Sequence, residues 1–228
     1  MTSIKLPTLA SKQTCSGCLS CVDSCPVSAL STSIGEDGHF YPYINSDKCI
    51  GCLNCERTCP VVCGFEYNSN VERARPWKAW NKNDEERMRS TSGGVFSALA
   101  RYTISQKGVV YGAVSRGIKV LHTRIDKYED VEKLQGSKYL QSDTTGIYKA
   151  VQKDLRENKF VLFSGTGCQV AGLLSFLGRP FENLITMDLI CAGVPSSFLM
   201  TRYCEEEKVI PEMYFGVQKK MDGYMVCN

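Results

Sequence analysis

Two twelve-residue stretches near the start of the chain are close copies of each other. Residues 15–26 read CSGCLSCVDSCP and residues 49–60 read CIGCLNCERTCP, so four cysteines, a glycine, a leucine and the closing proline coincide at an offset of 34. The whole chain of 228 residues has 13 cysteines, and nine of them lie in residues 1–65. The chemistry of this segment therefore has to explain the cysteine content.

Each copy has the pattern C-x2-C-x2-C-x3-C-P. In bacterial ferredoxins this pattern supplies three thiolates to one [4Fe-4S] cube, while the fourth cysteine reaches the other cube. Gly17 and Gly51 allow the tight turns that wrapping a cube requires. We therefore predict two clusters, the first held by Cys15, Cys18, Cys21 and Cys59, and the second held by Cys49, Cys52, Cys55 and Cys25.

Zinc and disulfides are the alternatives to iron–sulfur clusters. Zinc takes four ligands, commonly as two short pairs, which leaves the third cysteine of each copy without a role. The sequence has no apolar run long enough for a spanning helix and no secretory leader, so we expect a cytoplasmic protein with reduced thiols. This favours metal binding over disulfides. Cys63 belongs to neither ligand set, and we expect it to be a small buried apolar residue.

The remaining sequence predicts an ordinary packed domain. Apolar residues make up 43% of the chain, and 27 basic against 24 acidic residues give no indication of a nucleic-acid surface. A β-hairpin is expected over residues 29–44 and a polar linker over 66–76. Further along, we predict strands at 108–114, 119–125, 160–163 and 184–190, alternating with helices that end near 106, 134, 157, 177 and 207. This alternation is typical of a mixed or mostly parallel α/β sheet.

Two glycine-containing turns could hold an anionic cofactor. Residues 92–94 (Ser-Gly-Gly) begin a helix, and residues 164–168 join a strand to a helix, where free N–H groups attract phosphate. Neither turn matches the dinucleotide fingerprint G-x-G-x-x-G/A. In the second turn, Val170 stands where the third glycine or alanine of that fingerprint belongs. Each turn is also compatible with a simple capped helix start. Lys138 is interpreted either as a phosphate partner or as a solvated side chain.

Other chemistry-bearing residues give weaker signals. Cys168 lies near a helix start, which lowers a thiol pKa and would make an exposed thiol reactive, while a buried and inert thiol is the alternative. Cys191 follows an apolar strand, so we expect it to be buried. His39 and His122 lie in strand-like stretches and are interpreted as structural or surface residues.

Seven motifs follow the cysteine repeat in order, namely AWNK at 79–82, STSGGVF at 90–96, GSKY at 136–139, FSGT at 163–166, CQVAGL at 168–173, DLIC at 188–191 and GVPS at 193–196. Together with the repeat, this series resembles the coenzyme F420 hydrogenase/dehydrogenase beta-subunit family. The similarity runs from about Cys15 to Ser197. Within it, Gly167 stands where relatives usually carry Pro, and Ala192 stands where they usually carry His. The chain is also shorter at its C-terminal end than these relatives.

The resemblance implies an α+β protein with a bacterial-type 2[4Fe-4S] ferredoxin domain at 1–65, a linker at 66–78 and an incomplete α/β flavin-binding domain at 79–228. It implies an iron–sulfur flavoprotein in which FAD exchanges electrons with the clusters and with a small-molecule redox substrate. Ferredoxin, another redox protein or a partner subunit would supply the electrons. The candidate flavin contacts carried over by motif are Ser92, Gly93, Gly94, Ser137, Lys138, Ser164, Gly165 and Thr166.

A second function remains open. The protein is then a non-enzymatic ferredoxin-type electron-transfer module that docks in a larger complex. Many relatives are encoded beside surface-polysaccharide genes, so a link to polysaccharide biosynthesis is part of this alternative. The sequence assigns no catalytic residue, substrate or direction of electron flow.

Overall fold

A computed structural model describes residues 4–65 and 74–208, together with the backbone of residues 220–221 and 224–225. The N-terminal region contains α1 (Ser20–Asp23), β1 (Leu30–Ile34), β2 (Phe40–Ile44) and α2 (Asn54–Thr58). Strands β1 and β2 pair antiparallel, with Leu30 opposite Ile44 and Ile34 opposite Phe40. The predicted hairpin is confirmed.

The two copies of the repeat have the same backbone conformation. Gly17 and Gly51 have φ of 65° and 66°, and Leu19 and Leu53, directly before α1 and α2, have φ of 61° and 59°. Positive φ is easy for glycine and uncommon for leucine. The duplicated sequence therefore folds into a duplicated structure that includes a strained leucine in each copy.

The second region contains a five-stranded mixed sheet with the strand order β5-β4-β3-β6-β7. Strands β3, β6 and β7 are parallel, whereas β4 runs antiparallel to β3 and β5 runs parallel to β4. The strands are β3 (Val109–Arg116), β4 (Lys119–Ile125), β5 (Ser142–Asp143), β6 (Val161–Thr166) and β7 (Leu184–Leu189). The helices are α3 (Asp84–Arg89), α4 (Val95–Ser105), α5 (Val131–Leu134), α6 (Ile147–Arg156), α7 (Gly167–Leu177) and α8 (Ser197–Glu206).

An apolar core covers each face of this sheet. Side chains alternate between the faces along a strand, so Phe163 packs on one face while Leu162 packs on the other. Phe163 lies with Tyr148 of α6 and Leu173 of α7, and Leu162 lies with residues of α4 and α5. The two helix layers around a mixed sheet agree with the predicted α/β architecture.

Several expectations need correction. Cys63 is exposed because it lies in the turn that follows α2, and Cys191 is exposed because β7 is an edge strand whose last residues face solvent. Helix α3 and the short β5 were not predicted, since neither has enough apolar periodicity. Residues 66–73 of the expected linker lie outside the described residues. In the described part of the C-terminal segment, β8 (Lys220–Met221) pairs antiparallel with β9 (Tyr224–Met225).

Within the described ranges, no helix combines the length and the apolar character needed to cross a bilayer.

Candidate metal sites

The eight repeat cysteines line two separate cavities, four at each. The first cavity has about 360 Å³ of unfilled space, including space open to solvent, and the second has about 270 Å³. Each cavity contains three cysteines of one copy and the last cysteine of the other copy. The first is lined by Cys15, Cys18, Cys21 and Cys59, and the second by Cys25, Cys49, Cys52 and Cys55. These are the two sets that the sequence predicts as ligands.

The exchange of the fourth cysteine follows from the packing of the two short helices. Helix α1 contacts α2, and the hydroxyl of Ser20 donates a hydrogen bond to the carbonyl oxygen of Thr58 at 3.1 Å. The fourth cysteine of each copy, Cys25 or Cys59, lies one or two residues after the end of its helix. Because the two helices pack together, each of these cysteines lines the cavity formed by the other copy.

Burial favours the protonated form of four of these thiols. It raises the pKa of Cys18 to about 11 and also raises the pKa of Cys15, Cys21 and Cys55. Neighbouring thiolates raise the pKa of Cys21 further. Binding a metal cluster as thiolates would therefore release protons from this region.

Backbone amides already point at the sulfurs. The N–H of Ala29 donates to the Sγ of Cys25 at 3.1 Å, and the Gly17 amide hydrogen-bonds to Cys15. Such amides stabilise negative charge on cluster sulfur. In the described residues, no three His, Cys, Asp or Glu side chains converge as a single metal ion would require. A cube does not require this, because each thiolate binds a different iron atom. The donor set and the amides fit two [4Fe-4S] clusters.

The first cavity lies against the second region of the protein. The carbonyl oxygen of Cys18 accepts hydrogen bonds from the hydroxyls of Thr144 and Tyr148, each at 2.8 Å. A Cβ on Gly172 in α7 would lie 3.0 Å from the Sγ of Cys18. Only a glycine lets the α7 backbone approach this cysteine so closely.

Asp23 joins the two regions, and the sequence analysis did not single it out. Its buried carboxylate accepts hydrogen bonds from the backbone N–H groups of Gly146 (2.6 Å), Tyr148 (2.9 Å) and Lys149 (3.4 Å). The carboxylate thus caps the start of α6 from the other region and complements the helix dipole. The repeat does distinguish Asp23, because the matching position in the second copy is Arg57. This difference between the copies was the available sign that Asp23 has a role of its own.

Two of the three predicted flavin motifs lie together. The backbone N–H of Ser137 donates to the Thr91 hydroxyl at 3.0 Å, which brings residues 136–138 beside the turn that carries Ser92, Gly93 and Gly94. Lys138 donates from Nζ to the Gln135 carbonyl at 2.7 Å, and burial lowers the pKa of this lysine to about 8. Its ammonium is therefore held inside the loop and does not extend freely into solvent.

The third motif contacts His122 of β4. The Nε2 of this buried histidine lies 3.0 Å from the Ser164 carbonyl, and its Nδ1 lies 2.8 Å from the Ser142 hydroxyl. Burial lowers the pKa of His122 to about 4, so the imidazole is neutral and both ring nitrogens have partners. The prediction of a structural histidine is confirmed for His122.

The turn at residues 164–167 is organised as a helix cap. The Oε1 of Gln169 accepts from the Thr166 N–H at 2.9 Å, and a Cβ on Gly165 would lie 3.0 Å from this same oxygen. Gly165 is therefore required for close packing, whether or not a cofactor binds. Cys168 follows in the first turn of α7, is exposed, and lies 3.1 Å from the Thr166 hydroxyl.

A buried polar network supports the first glycine turn. Glu86 forms an ion pair with Arg101 and accepts hydrogen bonds from Tyr128 and, at 2.8 Å, from Asn81. The Asn81 side chain also donates to the Gly94 carbonyl at 3.4 Å. The sequence analysis did not find this network, because its members are separated along the chain by up to 47 positions.

Comparison with known proteins agrees with the chemistry of the cysteine sites. Residues 14–63 match the family model of the 4Fe-4S dicluster domain. A search of curated proteins found no match for the chain. One similar solved structure, determined with xenon derivatization, is a chain of the F420-reducing [NiFe] hydrogenase complex from Methanosarcina barkeri, with a TM-score of 0.46 and 16% identity. The similarity covers 56% of this chain and only 47% of that one, and it carries no conclusion about function.

The N-terminal repeat, its hairpin and its two short helices thus form a ferredoxin-type iron–sulfur domain, which is followed by an α/β region with a mixed sheet.

Proposed function

We propose that the protein transfers electrons between a ferredoxin-like donor and a small-molecule substrate, using two [4Fe-4S] clusters and FAD. Cys15, Cys18, Cys21 and Cys59 would hold one cluster, and Cys25, Cys49, Cys52 and Cys55 the other. When bound, the clusters would supply one-electron transfer and the flavin would couple single electrons to two-electron chemistry. The single observation that carries the proposal is the arrangement of these cysteines, four at each of two cavities.

The chain's own residues prepare the cysteine sites for an anionic cluster. Amides point at Cys15 and Cys25, and the positive φ values of Gly17 and Gly51 turn the backbone around each cavity. The hydroxyls of Thr144 and Tyr148 fix the Cys18 carbonyl, which holds this loop against the α/β region. These contacts position the ligands and exclude solvent from one side of the first site.

The support for FAD comes from the contact between two of the motifs and from the position of the third motif at the end of a parallel strand. Residues 92–94 and 137–138 meet through Thr91, and the Ser164 carbonyl oxygen lies 3.0 Å from the Nε2 of His122. In open α/β sheets, ligands bind outside the carboxyl ends of the parallel strands, which is where β6 reaches Thr166. Lys138 would have to leave the Gln135 carbonyl before it could pair with a phosphate.

Anaerobic reconstitution of the full chain with iron and sulfide tests the metal part of the proposal. We expect about eight iron and eight sulfide atoms per chain and the broad absorption of [4Fe-4S] clusters. Cys21→Ser should lower both contents, whereas Cys63→Ser, a cysteine outside both cavities, should leave them unchanged. Zinc in place of iron, or equal contents in both variants, would contradict this part of the proposal.

Addition of FAD to the reconstituted chain tests the flavin part. We expect stoichiometric binding, detected by quenching of flavin fluorescence, and weaker binding for Lys138→Ala. A fully loaded iron–sulfur protein that does not bind FAD would instead support the non-enzymatic electron-transfer module. The presence of a ferredoxin-type domain favours that second function independently of the α/β motifs.

A further inference from the structure

The surroundings of the two cysteine sites are different. The first site is covered on one side by the α/β region, where Gly172 approaches Cys18 and where the hydroxyls of Thr144 and Tyr148 donate to the Cys18 carbonyl oxygen. The lining of the second cavity comes entirely from residues between Pro7 and Cys55. Among the described residues, none from the α/β region lines the second cavity.

Exposed apolar side chains surround the second cavity. Val27 and Ile50 line it and remain 40% and 56% exposed, while Ile4 packs beside Gly51 and is 58% exposed. Cys52 at this cavity is itself partly exposed. We name the surface formed by Ile4, Lys5, Val27, Lys48, Ile50 and Arg57 the outer face.

The outer face also has an excess of positive charge. Lys5, Lys48 and Arg57 are exposed, and a guanidinium N–H of Arg57 donates to the Cys52 carbonyl at 2.9 Å. Of the acidic residues nearby, Asp47 is exposed, while Glu56 is partly buried and accepts a hydrogen bond from the Thr8 N–H. Apolar side chains surrounded by cations suit a partner whose surface is apolar at its centre and acidic around it.

The two copies of the repeat have residues of opposite charge at one matching position. Asp23 in the first copy is buried and caps α6, whereas the matching Arg57 in the second copy is exposed on the outer face. One copy therefore provides the residue that binds the α/β region. The other provides a cation at the free surface.

We propose that the outer face is the docking surface for an acidic one-electron carrier protein. This inference rests on the proposed function, because it requires a redox group at the second site. The carrier loses or gains one electron at this surface, and no bond is made or broken. A small apolar contact with charges around it is typical of the weak, transient complexes that redox proteins form.

Anaerobic titration calorimetry tests the docking surface, using the reconstituted full chain and an acidic 2[4Fe-4S] ferredoxin as the probe. The variant Ile4→Asp/Lys5→Glu changes the outer face without replacing a cysteine, and Lys48→Glu changes a second segment of it. We expect the dissociation constant to rise at least about tenfold for the double variant and less for Lys48→Glu. Increasing salt should weaken binding of the wild type.

The matched control is Ile34→Asp/Lys107→Glu, which makes the same charge changes at exposed positions of the hairpin and the end of α4. It should change the dissociation constant less than twofold. Equal weakening by the control, a salt-independent affinity, or no binding of the probe to the loaded wild type would overturn the inference. Iron and sulfide analysis of each sample separates this result from failure of the proposed function, because an unloaded chain would refute both.

Discussion

The iron–sulfur domain and the α/β region differ in the kind of core they have. Half of the buried cluster in the N-terminal region consists of cysteines, namely Cys21, Cys25, Cys49 and Cys55 beside Leu19, Val22, Ala29 and Leu30. The two buried clusters of the sheet contain aliphatic and aromatic residues and no cysteine. Metal binding would therefore stabilise the first region, whereas burial of apolar surface stabilises the second.

Removal of the metal should have the largest difference in effect on the folding of the two regions. Chelation or oxidation of the iron should unfold residues 1–65, because binding of a structural metal supplies on the order of 10 kcal/mol in small metal domains. The α/β region should stay more nearly intact. Limited proteolysis with mass spectrometry measures the unfolding of each region. Unchanged protection of residues 1–65 in metal-free protein would contradict the claim that metal binding stabilises this region.

Truncation of a core residue in the sheet should destabilise the α/β region and leave the iron–sulfur domain unchanged. Leu162 is fully buried on the face away from the cysteines, so Leu162→Ala should lower the free energy of unfolding of the α/β region by about 2–5 kcal/mol. Cluster absorption should not change. Denaturant titration followed by tryptophan fluorescence provides the measurement. As the control, Leu189→Ala changes a half-exposed leucine of β7 and should cost much less.

The buried carboxylate of Asp154 makes the stability of the α/β region depend on pH. Burial opposes ionisation, but hydrogen bonds from Arg124, Lys159 and Tyr111 outweigh it and hold the pKa of Asp154 below its ordinary value. The stabilisation is therefore present above the ordinary carboxyl pKa near 4 and is lost as the pH falls through the lower folded value.

Asp154→Asn should cost about 2–3 kcal/mol at neutral pH and flatten this acid dependence, as measured by thermal unfolding between pH 2 and 7. The exposed Asp84→Asn should retain the wild-type profile. An acid dependence of equal steepness in Asp154→Asn would show that another group controls it.

The smallest expected effect concerns the contact between the two regions. Gly172→Ala places a Cβ 3.0–3.2 Å from Cys18 and from the Tyr148 hydroxyl, so we expect a loss of about 1–2 kcal/mol in the stability of the loaded protein. Gly167→Ala in the same helix meets only an Asp188 oxygen at 3.9 Å and should be neutral or slightly stabilising. Equal effects in thermal unfolding would mean that the regions do not pack through Gly172.

Local sequence patterns predicted most of the secondary structure. The hairpin, α7 and the bounds of β4 followed from turn residues and apolar periodicity, and these signals depend only on neighbours along the chain. The pairing of Cys59 with the first copy and Cys25 with the second also followed from the repeat, and the structure places these cysteines at the expected cavities.

Contacts between distant segments were not predictable in the same way. Asp23 meets Gly146 across 123 positions, and Tyr148 meets Cys18 across 130. Nothing in the local sequence indicates these partners. Cys191 was expected to be buried because it follows an apolar strand, but its exposure depends on β7 lying at the sheet edge, which is a property of the whole topology.

The exchange of ligands between the two repeats can be tested most directly by anomalous X-ray diffraction at the iron edge from anaerobically grown crystals. We predict two separate iron peaks, one among Cys15, Cys18, Cys21 and Cys59 and the other among Cys25, Cys49, Cys52 and Cys55. A single peak, a peak at the zinc edge instead, or two iron sites with all four ligands from one copy would contradict the account.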